Sequence, residues 1–208
     1  MATFREKENY CRRTFDENGP YWHLYTSGKE TPLMFRTEDD YVFAMNVIAQ
    51  MAFEYQDIRI LTLEIMGNHI HILADGHSDR LLTAFAFLKK RLNRGLKESF
   101  PDGLPDGFSP TLKEVSDLEA IRNTIVYINR NGFVADCNVT PYSYPWGAGP
   151  YYFGHEPVTA TTFHDITTKQ GRNMFRGRIP DIPDSWPVAD SFVLPVAYCS
   201  IKFAKAMF

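Results

Sequence analysis

Two histidines separated by a single residue are the residues best suited to chemistry, in the run Met66-Gly67-Asn68-His69-Ile70-His71-Ile72-Leu73. Their aliphatic flanks read as a strand, and side chains along a strand alternate between faces. His69 and His71 therefore point the same way, while Ile70 and Ile72 anchor the strand from behind. Imidazoles at that separation can share one divalent cation on a rigid element. The same spacing also suits two histidines solvated on a half-exposed strand, because so short a motif often arises by chance.

Tyr127 is the second chemical candidate. On a helical wheel, Leu118, Ile121, Ile125 and Ile128 form one buried stripe, and Tyr127 lies about 130° from its centre. Asn123 and Asn131 share its side, and Tyr127 and Asn131 are four residues apart, hence neighbours on one helical face. One interpretation is a surface tyrosine with its ring partly covered. The other is a nucleophile beside a metal ligand. A phenol with a pKa near ~10 is a poor nucleophile at neutral pH. A divalent ion nearby helps by stabilising developing phenolate and by polarising a phosphate.

The elements that must position these groups follow from the hydrophobic pattern. Tyr21-Trp22-His23-Leu24-Tyr25-Thr26 reads as a first strand after the turn Asn18-Gly19-Pro20. Thr37 is placed to cap a helix whose apolar positions are Tyr41, Met45, Ile48, Ala52 and Tyr55. Ile58 to Ile65 is a second strand, and Gly67-Asn68 turns it into the histidine strand as a hairpin. A second helix starts near Ser78, with Leu81, Phe85, Leu88, Leu92 and Leu96 as its stripe. Phe100 to Gly107 is a loop by its Pro, Asp and Gly content, and Phe108 to Val115 holds a short strand. Ser116-Asp117-Leu118-Glu119 is a capping-box signature that opens a third helix, which runs to about Asn131 with Gly132 as its C-cap. The order predicts an α+β domain, a ferredoxin/RRM-like antiparallel sheet with helices on one face.

Composition narrows the function classes. With 208 residues, 44% hydrophobic and 14% aromatic, the chain is a folded globule rather than a disordered segment. No apolar run approaches the ~20 residues that span a bilayer, and the charged N-terminus Met1 to Glu8 lacks the apolar core of a signal peptide. Cys11, Cys137 and Cys199 are scattered, which suits a reducing cytoplasmic setting and argues against a disulfide framework or a thiolate zinc site. The net charge of −3 is too acidic for a general nucleic-acid coat. Any DNA contact needs local positive charge. Lys89, Lys90, Arg91, Arg94 and Lys97 form one basic cluster, and Lys169, Arg172, Arg176 and Arg178 form another; either is also compatible with a solvated face.

Taken together, these pieces resemble the single-tyrosine HUH transposases, and most of all the REP-associated tyrosine transposases. Tyr21 to Thr26 is similar to that family's first strand, which carries a histidine. Phe35 with Asp39-Asp40-Tyr41 resembles its entry to the first helix, and Met66 to Leu73 its Met-x-Asn-His-hydrophobic-His box. Tyr127-Ile128-Asn129-Arg130-Asn131 resembles its Tyr-Ile-x-x-Asn helix motif, and Tyr144-Pro145-Trp146 the Tyr-Pro-Trp that follows. The match runs from about Tyr21 to Trp146. It departs from the family at Gly67 and Gly132, which stand in place of prolines, and at Asn129, in place of a common histidine.

The spacing of Pro180, Pro183, Pro187 and Pro195 predicts an irregular C-terminal extension over 155–208, and the resemblance implies a transposase/nuclease domain over residues 1–154. It implies Tyr127 as nucleophile and His69, His71 and Asn131 as ligands of Mg²⁺ or Mn²⁺, the cations that suit mixed imidazole and amide-oxygen ligands. The substrate it implies is single-stranded DNA with a hairpin, nicked and rejoined through a covalent 5′-phosphotyrosine. Lys89, Lys90, Arg91 and Arg94 are the expected backbone contacts, and no membrane partner is expected. Tyr142, Tyr144, Trp146, Tyr151 and Tyr152 either stack unpaired bases or cover a sheet edge. The assembly is a monomer or a homodimer. Two rival functions are a domesticated protein that grips hairpin DNA without cutting it and an unrelated metal hydrolase that uses water.

Overall fold

A computed structural model of the chain describes residues 11–12, 15–136, 138–154 and 159–208. Met1 to Glu8, Cys137 and His155 lie outside the described residues. The core is a βαββαβ unit: β1 (Tyr21–Thr26), α1 (Glu38–Glu54), β2 (Arg59–Ile65), β3 (Ile70–Asp75), α2 (Ser78–Gly95) and β4 (Pro110–Val115). The four strands lie in the order β2-β3-β1-β4, each pair antiparallel. This is the α+β, ferredoxin-like arrangement that the pattern predicts.

Local signals set the boundaries. Thr37 caps α1 in a full capping box: its hydroxyl accepts from the Asp40 amide, and the Asp40 carboxylate accepts from the Thr37 amide. Strand β2 has a bulge between Ile60 and Thr62, so Ile60 and Leu63 both reach the core while Thr62 and Glu64 face the opposite side. Leu24, Ile60, Ile72 and Ala74 of the sheet line one small void with Met51 of α1 and Leu81, Ala84 and Phe85 of α2. Both helices thus pack on the same face of the sheet, burying side chains worth about 1.5–3 kcal/mol each.

The opposite face carries His23, His71, Glu64 and Thr62, and a third helix, α3 (Leu118–Asn129), covers part of it. Asp117, not Ser116, is its cap, accepting from the Ala120 amide at 2.7 Å. Helix α3 ends at Asn129, and a short helix α4 (Asn131–Ala135) follows Arg130. Gly132 is therefore inside α4 rather than a C-cap. The reason is close approach rather than left-handed backbone. Its N–H donates to the buried Glu64 carboxylate at 2.6 Å, and a Cβ there would meet the Tyr144 ring at 2.6 Å.

Residues 144–148 run along the outer edge of β2. The Ile65 amide donates to the Trp146 carbonyl at 2.8 Å, and the Ala148 amide to the Leu63 carbonyl at 3.0 Å. Short helix α5 (Gly149–Phe153) follows. Residues beyond 160 form a three-stranded sheet, β5 (Thr161–Thr162), β6 (Pro187–Ala189) and β7 (Phe192–Val193), with α6 (Thr168–Met174) and α7 (Ile201–Lys205). Phe163, Met174, Phe175, Val188 and Val193 form a second apolar cluster that includes Ala49 of α1. The buried Asn46 of α1 ties this segment down. Its amide nitrogen donates to the carbonyls of Met174 and Ser191, and its oxygen accepts from the Val193 amide. Cys11 and Cys199 are buried free thiols. No described helix is long and apolar enough to cross a membrane.

Candidate functional site

His69 and His71 enter the site from the start of β3, their rings 5.0 Å apart and nearly perpendicular. His71 pairs with Tyr25 of β1 on one side and Glu64 of β2 on the other, so these three share a row on the same face. His23 lies in the next row of β1. Its Nε2 is 2.9 Å from His71 Nδ1. The Tyr127 ring of α3 meets this cluster edge-on, 5.6 Å from His71 and 5.9 Å from His23. Tyr25 completes an aromatic wall, 5.0 Å from His23 and 6.0 Å from His71. Tyr127 is 45% exposed, whereas His71 is buried.

Each position has a local cause. Asn68 donates from its amide nitrogen to the carbonyls of Gly28 and Thr31, which fixes which end of the amide faces His69. Its oxygen then lies 2.7 Å from His69 Nδ1, so that nitrogen carries the proton and Nε2 is left bare. Gly28 permits this contact, since a Cβ there would sit 2.8 Å from His69 Nδ1. Tyr127 is held by the packing of Ile121, Ile125 and Ile128 beneath it.

Burial sets the electrostatics. It lowers His71 to about 3, with His23 and His69 adding to the effect, and lowers His23 to about 4, with Lys113 adding. His69 is lowered for the same reason. All three rings are neutral at neutral pH, the form that can ligate a cation. Burial also raises Glu64 to about 8, against the opposing hydrogen bond from Gly132.

The expected third ligand, Asn131, lies just past the end of α3. Asn131 opens α4 beside Gly132, which is anchored on Glu64, the cross-strand partner of His71. Its amide nitrogen donates to the Ile128 carbonyl at 3.0 Å. Asn129, not Asn131, is the buried amide of this helix. It accepts from the Thr62 hydroxyl and donates to the Ile125 carbonyl. Among the described residues, no group of three or more His, Cys, Asp or Glu side chains is arranged to hold a metal ion. A cation there would take two imidazole nitrogens and draw its other ligands from amide, water or substrate oxygen. Two neutral imidazoles with a bare Nε2 on His69 suit that role.

The basic residues lie elsewhere. Lys89, Lys90, Arg91 and Arg94 ride on α2, which packs on the opposite face of the sheet from the histidines. Arg91 is engaged internally, with Gln50 at 3.1 Å and the Phe175 carbonyl at 3.4 Å. Arg94 lines a cleft of about 890 Å³ with Arg36, Lys97 and Arg176, and with the acidic Asp39, Asp40 and Glu98. Of the aromatics after Gly132, Tyr144 donates to the Ile65 carbonyl, Tyr152 to the Leu61 carbonyl, and Trp146 stacks on Tyr41. These three cover the edge of β2, whereas Tyr142 is 58% exposed.

Two residues at the site, Lys113 and Glu64, carried no signal in the sequence, and His23 was marked only as the histidine of the first strand. Lys113 is opposite His23 on the edge strand β4, Glu64 is opposite His71, and His23 meets His71 across strands. Only pairing register brings them together, and register depends on partners distant in sequence.

No family profile and no curated protein sequence matches the chain. Among solved structures, it is similar to a REP-associated tyrosine transposase bound to a REP hairpin. The TM-score is 0.50 at 10% identity, covering 83% of this chain and 94% of that one. The likeness is one of fold.

Proposed function

We propose that this protein nicks and rejoins single-stranded DNA at hairpin-bearing sites, with Tyr127 as nucleophile and a divalent cation held by His69 and His71. The observation that carries this is the approach of a half-exposed tyrosine to the buried, neutral His71, 5.6 Å from its ring, with His69 a further 5.0 Å from His71. Its support is the shared fold with a transposase that binds a DNA hairpin. Asn131 is the proposed third ligand, through the oxygen of an amide whose nitrogen is held by Ile128.

Bound at this site, Mg²⁺ or Mn²⁺ supplies a Lewis acid for the scissile phosphate. Tyr127 attacks phosphorus in line through its Oη, losing its proton to solvent. The P–O3′ bond breaks, the 3′-oxygen takes up a proton, and the 5′-phosphate stays on the tyrosine. A 3′-hydroxyl reverses the step and rejoins the strand, so no external energy source is needed. The packing of α3 fixes the phenol beside the strand that bears the histidines, so the reaction gains from positioning. Lys89, Lys90 and Arg94 are proposed backbone contacts, which give affinity without sequence reading.

The test is a denaturing gel of hairpin-bearing single strands incubated with protein and Mn²⁺. Wild type forms a covalent protein–DNA adduct; Tyr127→Phe forms none and still binds the oligonucleotide. An adduct on Tyr127→Phe removes Tyr127 from the reaction. A wild type that binds hairpins but never forms an adduct makes the protein a non-cleaving binder instead.

A further inference from the structure

We propose that His23 is the positioning residue of His71: its Nε2 accepts a hydrogen bond from His71 Nδ1–H and so presents the bare Nε2 of His71 to the cation site. This rests on the assignment of His69 and His71 as ligands. The two ring nitrogens are 2.9 Å apart and both side chains are buried. At that distance two lone pairs repel and two N–H groups collide, so one proton lies between them. Either ring can supply it. A proton supplied by His23 leaves a neutral His71 protonated at Nε2, which blocks the atom a cation needs.

His69 shows which arrangement this site uses. Its Nδ1 donates to the Asn68 oxygen, whose identity is fixed by the two carbonyls that the Asn68 nitrogen serves. Its Nε2 is bare as a result. His71 needs an acceptor at its own Nδ1 to match, and His23 Nε2 is the atom at that position. Ligating histidines as a rule donate their second nitrogen to a carboxylate, a backbone carbonyl or water. Here a neighbouring strand supplies an imidazole. His23 suits the task because it is rigid. It is held in β1 between its strand neighbours, with Tyr25 and Tyr127 against its ring.

Two measurements on the full chain decide it. Ring ¹⁵N NMR of the protein treated with a chelator identifies the tautomer of His71. Mn²⁺ titration followed by electron paramagnetic resonance gives the affinity. In wild type, His71 carries its proton on Nδ1. In His23→Leu, which has no acceptor, that tautomer gives way to a mixture, and Mn²⁺ binds about 10–100-fold more weakly. His23→Gln, whose amide oxygen can accept, recovers most of both. The thermal midpoints of both variants stay near that of wild type, which separates positioning from folding. A wild-type His71 protonated on Nε2 overturns the proposal, as does a His23→Leu protein with unchanged tautomer and Mn²⁺ affinity. A wild type with the Nδ1–H tautomer lost in His23→Leu, but with no Mn²⁺ uptake, upholds the hydrogen bond and removes the ligand assignment instead.

Discussion

At the scale of residues, the site depends on close approaches that tolerate little added volume. His69 is gripped from two sides: Asn68 holds its Nδ1, and Gly28 passes so near that a methyl group would meet that nitrogen at 2.8 Å. A Cβ at this distance forces the ring to move. Gly28→Ala should therefore weaken Mn²⁺ binding about tenfold, the loss typical when the orientation of a ligand is disturbed. Gly28 lies in a loop away from the main core, so the unfolding midpoint should change little. Calorimetric titration with Mn²⁺ alongside thermal unfolding checks both parts, and wild-type affinity in the variant would show that Gly28 does not orient the ring.

At the scale of elements, the junction of α3 and α4 decides where Tyr127 and Asn131 sit relative to each other. One unbroken helix would place them on a common face. The observed break at Arg130 instead makes α4 a separate short helix fastened to the sheet through Gly132 and Glu64. The fastening needs Gly132 because the Tyr144 ring lies against its Cα, and that ring is itself pinned by its hydroxyl on the Ile65 carbonyl at 2.7 Å. Gly132→Ala should cost about 1–3 kcal/mol, as for other overpacked sites. It should also lower the yield of covalent adduct by shifting α4. Urea unfolding measures the first effect and the gel assay the second. A variant as stable as wild type would mean that Tyr144 moves aside freely.

At the scale of the whole molecule, charge and burial make two further predictions. The basic helix α2 lies across the sheet from the histidines, so DNA reaching both must pass around an edge of the molecule. Substituting Lys89, Lys90 and Arg94 together by Ala should reduce the slope of log K against log[salt] by about 2–3, close to one for each phosphate no longer neutralised. An unchanged slope would place the DNA path elsewhere, with Lys113 beside His23 the next cation to test. Stability should also follow Asp75, at the far end of β3. Burial raises this carboxyl from 3.8 to about 6, outweighing the Arg59 guanidinium 3.5 Å away. Between those values the folded chain holds a proton that the unfolded chain has released. The contribution of Asp75 is thus full below about pH 4 and is lost as the pH rises to about 6, by up to about 1.4 kcal/mol per pH unit. Asp75→Asn has no such titration. The unfolding free energy of wild type minus that of Asp75→Asn should fall between pH 4 and 6 and stay level above. Urea melts at several pH values in chelator give that difference, and a flat line across the range would mean that Asp75 is not desolvated.

Local patterns in the chain were enough to set the order of elements from β1 to α3, the cap at Thr37, the hairpin at Gly67-Asn68 and the shared face of His69 and His71, but not the strands and helices after residue 160, which read as irregular. Periodicity, capping and turn chemistry act over a few residues and are visible in the chain. The same patterns singled out Tyr127, because a tyrosine opposite its own apolar stripe is legible on a helical wheel. Packing in three dimensions was needed to bring α3 across to the histidine face, to break the helix before Asn131, and to lay Tyr144, Trp146 and Tyr152 over the edge of β2. The same holds for His23 against His71 and Glu64 under Gly132, pairs separated by 48 and 68 residues. Such pairings arise from strand register and from the fit of one packed layer on another, which no local pattern encodes.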